Sequence, residues 1–196
     1  DYTFKLAYTL NDTASIYGGV STGYKATAWN ISRDSLPDAI EIAALAAAGT
    51  PVGPNTGVGR RYADPEESEV FELGTKIKLP TGYLNIALFD QKIEGFQSNT
   101  FIGTGFILAN AGSQSTKGVE FDLVMSPMES IDLAISGLFM DPIYDSFPNS
   151  SSGDLSGTMP SNISENTISS TITWNWNLNN WDGYLRLSHL YASDAK

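Results

Sequence analysis

Glu66, Glu67 and Glu69 stand close together and are the first place to look for acid–base or calcium chemistry. No second element fixes them, and a charged entry to a strand accounts for them more simply. Ser156 lacks the glycine spacing of a nucleophile held on a sharp strand-to-helix turn. His189 is the one histidine, and it falls on the apolar phase of a strand, where an interfacial or core histidine is expected rather than a base. Gly57-Val58-Gly59 has neither the third glycine nor the strand–helix setting of a dinucleotide loop. With no cysteine and one histidine, clusters of thiolate or imidazole metal ligands are excluded. The chain is therefore not expected to be an enzyme, and no cofactor or metal site is expected in it.

Composition narrows the class further. Twenty-two acidic and 11 basic residues give a formal net charge of −11. No basic stripe is present to meet phosphates, which argues against nucleic acid as a partner. No apolar run is long enough for a transmembrane helix, a test that does not touch barrel strands, whose signal is only a weak alternation. The 196 residues suffice for one sizeable domain. They open and close inside strand-like text, which reads as a piece of something longer.

The elements that would position any site are strands. Tyr2, Phe4, Leu6, Tyr8 and Leu10 share one face of the first, and Tyr17, Ser21 and Lys25 oppose Ile16 and Val20 in the second. Phe71, Leu73, Thr75, Ile77 and Leu79 oppose Glu72, Gly74, Lys76 and Lys78. Leu84, Ile86 and Leu88 share a face, and the phase shifts near Leu88–Phe89, which predicts either a bulge or an exit from the buried band there. Gly103-Thr104-Gly105 marks a bend, and a strand over 106–126 is expected to descend from it. Residues 131–139 alternate next. Ile168, Ile172, Trp174, Trp176 and Leu178 then face away from a row of Thr, Ser and Asn, and a last strand carries Leu185, Leu187 and Tyr191.

Eight strands are thus expected, with short turns at 11–13, 80–82, 127–130 and 179–183. Long joins are expected at 29–67, with a short helix near 37–48, and at 141–162. In an antiparallel meander all short turns fall at one end and all long loops at the other, as in outer-membrane barrels. The polar face is Ser, Thr, Asn and Gly rather than Lys and Glu, which suits a crowded, hydrated interior. Tyr83, Trp176, Trp181 and Tyr184 gather at the short-turn end, as an interfacial aromatic girdle would.

The run Asn110-Ala111-Gly112 leading into Lys117-Gly118-Val119-Glu120 resembles a descending strand in the barrel domain of TonB-dependent outer-membrane receptors. Tyr17 to Trp29, Pro65-Glu66 with Phe71-Glu72-Leu73-Gly74, Asn85 to Phe96, and Leu155-Ser156-Gly157 with Pro160 resemble further segments of that family in the same order. The resemblance implies an all-β, antiparallel up-and-down meander over 1–196. It would hold about eight strands of a transmembrane barrel of about twenty-two, with the plug domain absent from this stretch.

The implied function is uptake of a scarce nutrient, most often a ferric siderophore, across the bacterial outer membrane. TonB would energise it through the plug, and outer-membrane lipid would surround the barrel. Trp29, Arg33, Arg60, Arg61 and Tyr62 in the first long loop would meet an anionic iron chelate, with Phe96 and Phe101 as further ligand-facing groups near the outer bend. The plainer alternatives are solvated loop residues and aromatics packed between strands. Two other architectures stay open: a complete eight-stranded outer-membrane barrel with a structural or adhesive role, and a soluble β-sandwich that binds carbohydrate.

Overall fold

The computed structural model describes residues 1–30, 39–47, 62–102, 105–148, 150 and 152–195. The elements in chain order are β1 (Thr3–Asn11), β2 (Ala14–Lys25), β3 (Ala28–Trp29), α1 (Ala39–Ala47), β4 (Tyr62–Ala63), β5 (Glu66–Leu79) and β6 (Gly82–Glu94). After them come β7 (Gln97–Ile102), β8 (Gly105–Asn110), β9 (Ser113–Met128), β10 (Ile131–Ser146), β11 (Asn166–Leu178) and β12 (Trp181–Ala192). Eight of the strands form one antiparallel sheet in the order β1-β2-β5-β6-β9-β10-β11-β12, while β3-β4 and β7-β8 are separate two-stranded pieces.

The register assigns every side chain to a face. Leu84, Ile86 and Leu88 stand opposite Leu123, Phe121 and Val119, and Asn85 and Ala87 stand opposite Asp122 and Glu120. One face is therefore apolar and the other polar across the whole meander. None of the described residues covers the apolar face: Leu6, Leu73 and Leu187 are 65%, 59% and 62% exposed. Among the described residues only Ala63, Ala87 and Phe147 are buried hydrophobics. A water-soluble sandwich would bury this face against a second sheet, so the carbohydrate-binding sandwich does not describe this molecule. A closed eight-stranded barrel does not either, because β1 and β12 lie at opposite ends of the sheet order.

The apolar face has a sharp upper limit. Asp90, Lys117 and Asp141 sit side by side across β6, β9 and β10, with Lys117 3.4 Å from Asp90. From Lys117 down to Met128, at ~3.3 Å per residue and ~40° of tilt, the wall stands roughly 25–30 Å tall, the height of a hydrocarbon layer. Below this row every connection is a two-residue turn, at 12–13, 80–81, 129–130 and 179–180. Asn179 takes a φ of 54°, the left-handed value that tight hairpins demand. Above it lie all the long connections.

Three local expectations are refined. β6 pairs with both neighbours in unbroken register, so the shift at Leu88–Phe89 is not a bulge; the strand leaves the apolar band there, at the row that holds Asp90. Phe89 lies on the polar face because it stands over Gly118, where a Cβ would come within 2.5 Å of its ring. An aromatic fills the space a glycine leaves on the neighbouring strand. The strand expected over 106–126 is two strands, β8 and β9, divided at Ala111-Gly112. β10 runs on to Ser146 instead of ending near 139. Pro142 fits there because the β10–β11 ladder has already ended at Phe139↔Asn166, so no neighbour needs its missing N–H.

Candidate functional site

The outer end is organised by two bends facing each other. The β6–β9 ladder stops at Glu94↔Ser113, and a new ladder starts at Gln97↔Asn110. Between them Gly95 has a φ of 63° and Gly112 a φ of 129°. Both values lie in the left-handed half of backbone space that favours glycine. The backbones of Phe96 and Ala111 hydrogen-bond across the gap, with Ala111 N donating to Phe96 O at 2.8 Å. The β7–β8 hairpin therefore leaves the wall as its own small sheet.

The first long connection is stemmed by β3 and β4, which pair Ala28 with Ala63 and Trp29 with Tyr62. The Trp29 and Tyr62 rings meet at 5.1 Å, and Trp29 is 65% exposed. The exposed Trp29 ring, backed at a 42° tilt by the half-buried Tyr62 ring on a short ladder, offers an aromatic face for stacking or for a cation. Of the other residues expected here, Arg33, Arg60 and Arg61 lie outside the described residues, and of Phe101 only the backbone is described, paired with Phe106. α1 lies on the same connection, within an alanine-rich stretch that favours helix. The outer ends of the helix expected near 37–48, at 37–38 and 48, lie outside the described residues.

Phe96 is half-buried, and its ring packs against aromatics at the end of β10. Its ring stacks on Tyr144 at 5.4 Å and meets Phe147 edge-on at 5.3 Å, and Tyr144 and Phe147 are themselves 5.1 Å apart. Phe147 is buried, and burial pushes the Tyr144 phenol up. This trio lies at the base of the second long connection, which folds back on the end of β10. Leu155 N donates to Phe147 O, Gly157 N to Tyr144 O, and Tyr144 N to Thr158 O. Ser156 Oγ accepts from Phe147 N at 2.8 Å.

Asp154 closes the fold-back. Its carboxylate accepts from the Ser156 hydroxyl and from Ser156 N at 2.8 Å, which together hold its pKa below the usual carboxylate value. Because the folded value is the lower one, this contribution is complete at neutral pH and disappears as pH falls through it. Amide-exchange protection at Phe147 and Ser156 is expected to hold from pH 7 down to about 4 and to drop below that. Asp154→Asn should lower it at neutral pH and flatten the response. Protection that ignores pH in the native chain would refute the assignment.

The four aromatics expected as a girdle all lie at the short-turn end, on both faces. Trp176 stands over Gly183 and Trp181 pairs with Leu178, both on the apolar face. Trp174 adds a third ring there, 5.1 Å from Trp176. Tyr83 pairs with Val124 and Lys78 next to Asn85, and Tyr184 pairs with Asn175; both belong to the polar face. Strict alternation puts them there, one residue out of phase with Leu84 and Leu185. The same face carries a depression of about 510 Å³ lined by Tyr17, Lys76, Glu120, Asp122 and Ser136. Glu66, Glu67 and Glu69 are spread over both faces of β5, and Glu66 lies 3.5 Å from Lys25 Nζ and accepts from Gln97 N at 2.6 Å.

Sequence reading missed Tyr144, Phe147, Gln97 and the clamping role of Asn110. For Asn110 a signal existed, an Asn two residues before a glycine at a strand break. For Tyr144 and Phe147 none did, because the stretch reads as a polar loop.

Residues 2–196 match the family model described as TonB dependent receptor-like, beta-barrel. The ferric yersiniabactin uptake receptor FyuA from Yersinia pestis superposes with a TM-score of 0.67 at 20% identity, covering 97% of this chain and 25% of that one. BauA, the ferric preacinetobactin receptor from Acinetobacter baumannii, gives 0.60 at 18% identity, covering 95% and 24%. The copper transporter OprC gives 0.61 at 12%, covering 95% and 25%. The chain thus spans about a quarter of the length of these solved structures. A comparison with curated protein sequences returns no match.

Proposed function

Since this chain belongs to the TonB-dependent receptor β-barrel family, whose members are transport receptors of the bacterial outer membrane, we propose that it forms part of an uptake receptor for a chelated metal, in the first place a ferric siderophore. The observation that carries the reading is the two-faced wall with every long connection above it. The apolar face meets lipid, the polar face lines an interior for a plug domain, and the outer connections receive the cargo. TonB acts through the plug in this scheme, so the chain itself needs no catalytic group.

Trp29 and Tyr62 are the proposed contact surface. Arg33, Arg60 and Arg61 of the same connection supply positive charge toward an anionic chelate. Phe96 is reassigned to support, because its ring is engaged with Tyr144 and Phe147, and Phe101, paired with Phe106 near the end of the β7–β8 hairpin, is kept as a proposed ligand-facing group. Two of the similar structures are named for ferric chelates and one for copper, so the cargo test has two arms.

A strain lacking the gene, grown on single iron sources and separately under copper limitation, should lose growth on one ferric chelate. Absence of any nutrient-dependent defect would overturn the proposal, and a defect confined to copper would replace iron with copper. In the intact receptor, Trp29→Ala should weaken binding of that chelate about fivefold, roughly 1 kcal/mol for one lost ring contact. Unchanged affinity would remove Trp29 from the site.

A further inference from the structure

We infer that Asn110 is the positioning residue of the outer mouth, with Gln97 as its partner. Together they fix the stems of the first long connection to the glycine bends, so that the β3–β4 ladder with Trp29 and Tyr62 is held in one position against the base of the β7–β8 hairpin. The Asn110 side-chain amide uses both ends. Its Oδ1 accepts from Asp64 N at 2.8 Å, and its Nδ2 donates to Asp64 O at 2.9 Å and to Gly95 O at 2.6 Å. One residue thereby holds the strand that follows β4 and one of the two bends.

Gln97 completes the arrangement from across the ladder. Its Nε2 donates to Ala26 O at 2.9 Å and to Asp64 O at 3.0 Å, and its backbone N donates to Glu66 Oε2 at 2.6 Å. Ala26 lies just before β3 and Asp64 just after β4, so both stems of the connection that carries Trp29 and Tyr62 end on this knot. Ala63 beside it is fully buried. From the other side Phe96, between Gly95 and Gln97, stacks on Tyr144 at the base of the second connection. The bends therefore gather three outer segments at one point.

The chemistry needs an amide at position 110. A carboxylate accepts but does not donate, and would place charge against the Asp64 carbonyl; an alanine does neither. Losing these bonds frees the β3–β4 stem to sample other positions. A ligand that requires one position then binds in proportion to its remaining population. This second half rests on the uptake reading above, whereas the first half does not.

The test uses the full-length receptor in lipid, without other cysteines, carrying nitroxide labels at Thr27 and Ser98. The native side chain at 110 should give one narrow distance distribution between them. Asn110→Ala and Asn110→Asp should both broaden it, while Ser115→Ala, which removes a bond to Asp145 elsewhere on the outer end, should not. An unchanged distribution in Asn110→Ala would overturn the positioning role whatever the cargo is. With the ferric chelate that supports growth, Asn110→Ala should raise Kd about tenfold, as expected if the competent population falls to about a tenth. The uptake rate at saturating chelate should be unchanged. A broadened distribution with unaltered Kd would overturn the link to capture. A fall in saturating rate at constant Kd would do the same, and neither result would touch the first finding.

Discussion

Replacing Ile86 by arginine is expected to destabilise the folded receptor by roughly 2–4 kcal/mol, while replacing its neighbour Asn85 should cost less than about 1 kcal/mol. Ile86 stands near mid-height of the wall, opposite Phe121 and Thr75, on the apolar face that no described residue covers. An arginine there must either leave its charge in hydrocarbon or distort the wall to reach water. Asn85 pairs with Asp122 and Lys76 on the opposite face, where a cation meets a carboxylate and solvent. Urea titrations of the full-length receptor refolded in lipid vesicles provide the comparison. Equal losses at the two positions would contradict the assignment of faces, and a larger loss at 85 would reverse it.

Gly112→Ala is the second large effect. The residue has a φ of 129°, a value reached without strain only by glycine, and a Cβ there would run into the carbonyl oxygen of Ser146. The obstacle is backbone belonging to the end of β10, so no side chain can swing aside. Strain of this kind costs of order 1–3 kcal/mol, and displacing the strand end adds to it. The loss should be local. Exchange protection is expected to fall at Phe96, Ala111 and Phe147, which share the bend and the fold-back, and to persist along Leu84–Leu88 in the wall. Gly153→Ala is the matched control: its φ is also positive, at 97°, but nothing lies within 4 Å of its Cβ. It should therefore cost less. Equal losses at 112 and 153 would mean that backbone strain alone matters and that the contact with β10 does not.

Both results separate what alternation encodes from what it leaves out. Tyr2 to Leu10, Phe71 to Leu79 and Ile168 to Leu178 announce their faces because a strand has a period of two and one face must meet an apolar medium. The turns at Asn11–Thr13 and Asn179–Gly183 announce themselves through residues that accept tight geometry. Phe89 misled because alternation treats every bulky ring as belonging to the apolar side. The glycine beneath it, Gly118, is distant in sequence and becomes its neighbour only in the sheet. Tyr83 and Tyr184 misled in the same way: closeness to a turn fixes height along a strand, whereas phase fixes the face.

The residues proposed to face the ligand were the least legible. Trp29 and Tyr62 were identified by type and place in the first connection, but their ring contact depends on a two-residue ladder closing a long join. Phe96 was read as facing outward near a bend, and its partners Tyr144 and Phe147 lie about fifty residues on, in text that carries no period at all.

From its own sequence this chain determined an antiparallel meander with one greasy face, a hydrated reverse, and connections sorted by length between two ends, because those properties follow from local periodicity and turn chemistry. Only the tertiary structure decided that Asn110 and Gln97 hold the stems of the first connection, that Phe96 supports the second, and that β10 continues through Pro142. Each depends on which distant strands stand side by side and in what register, and a pattern of period two repeats too uniformly to specify that.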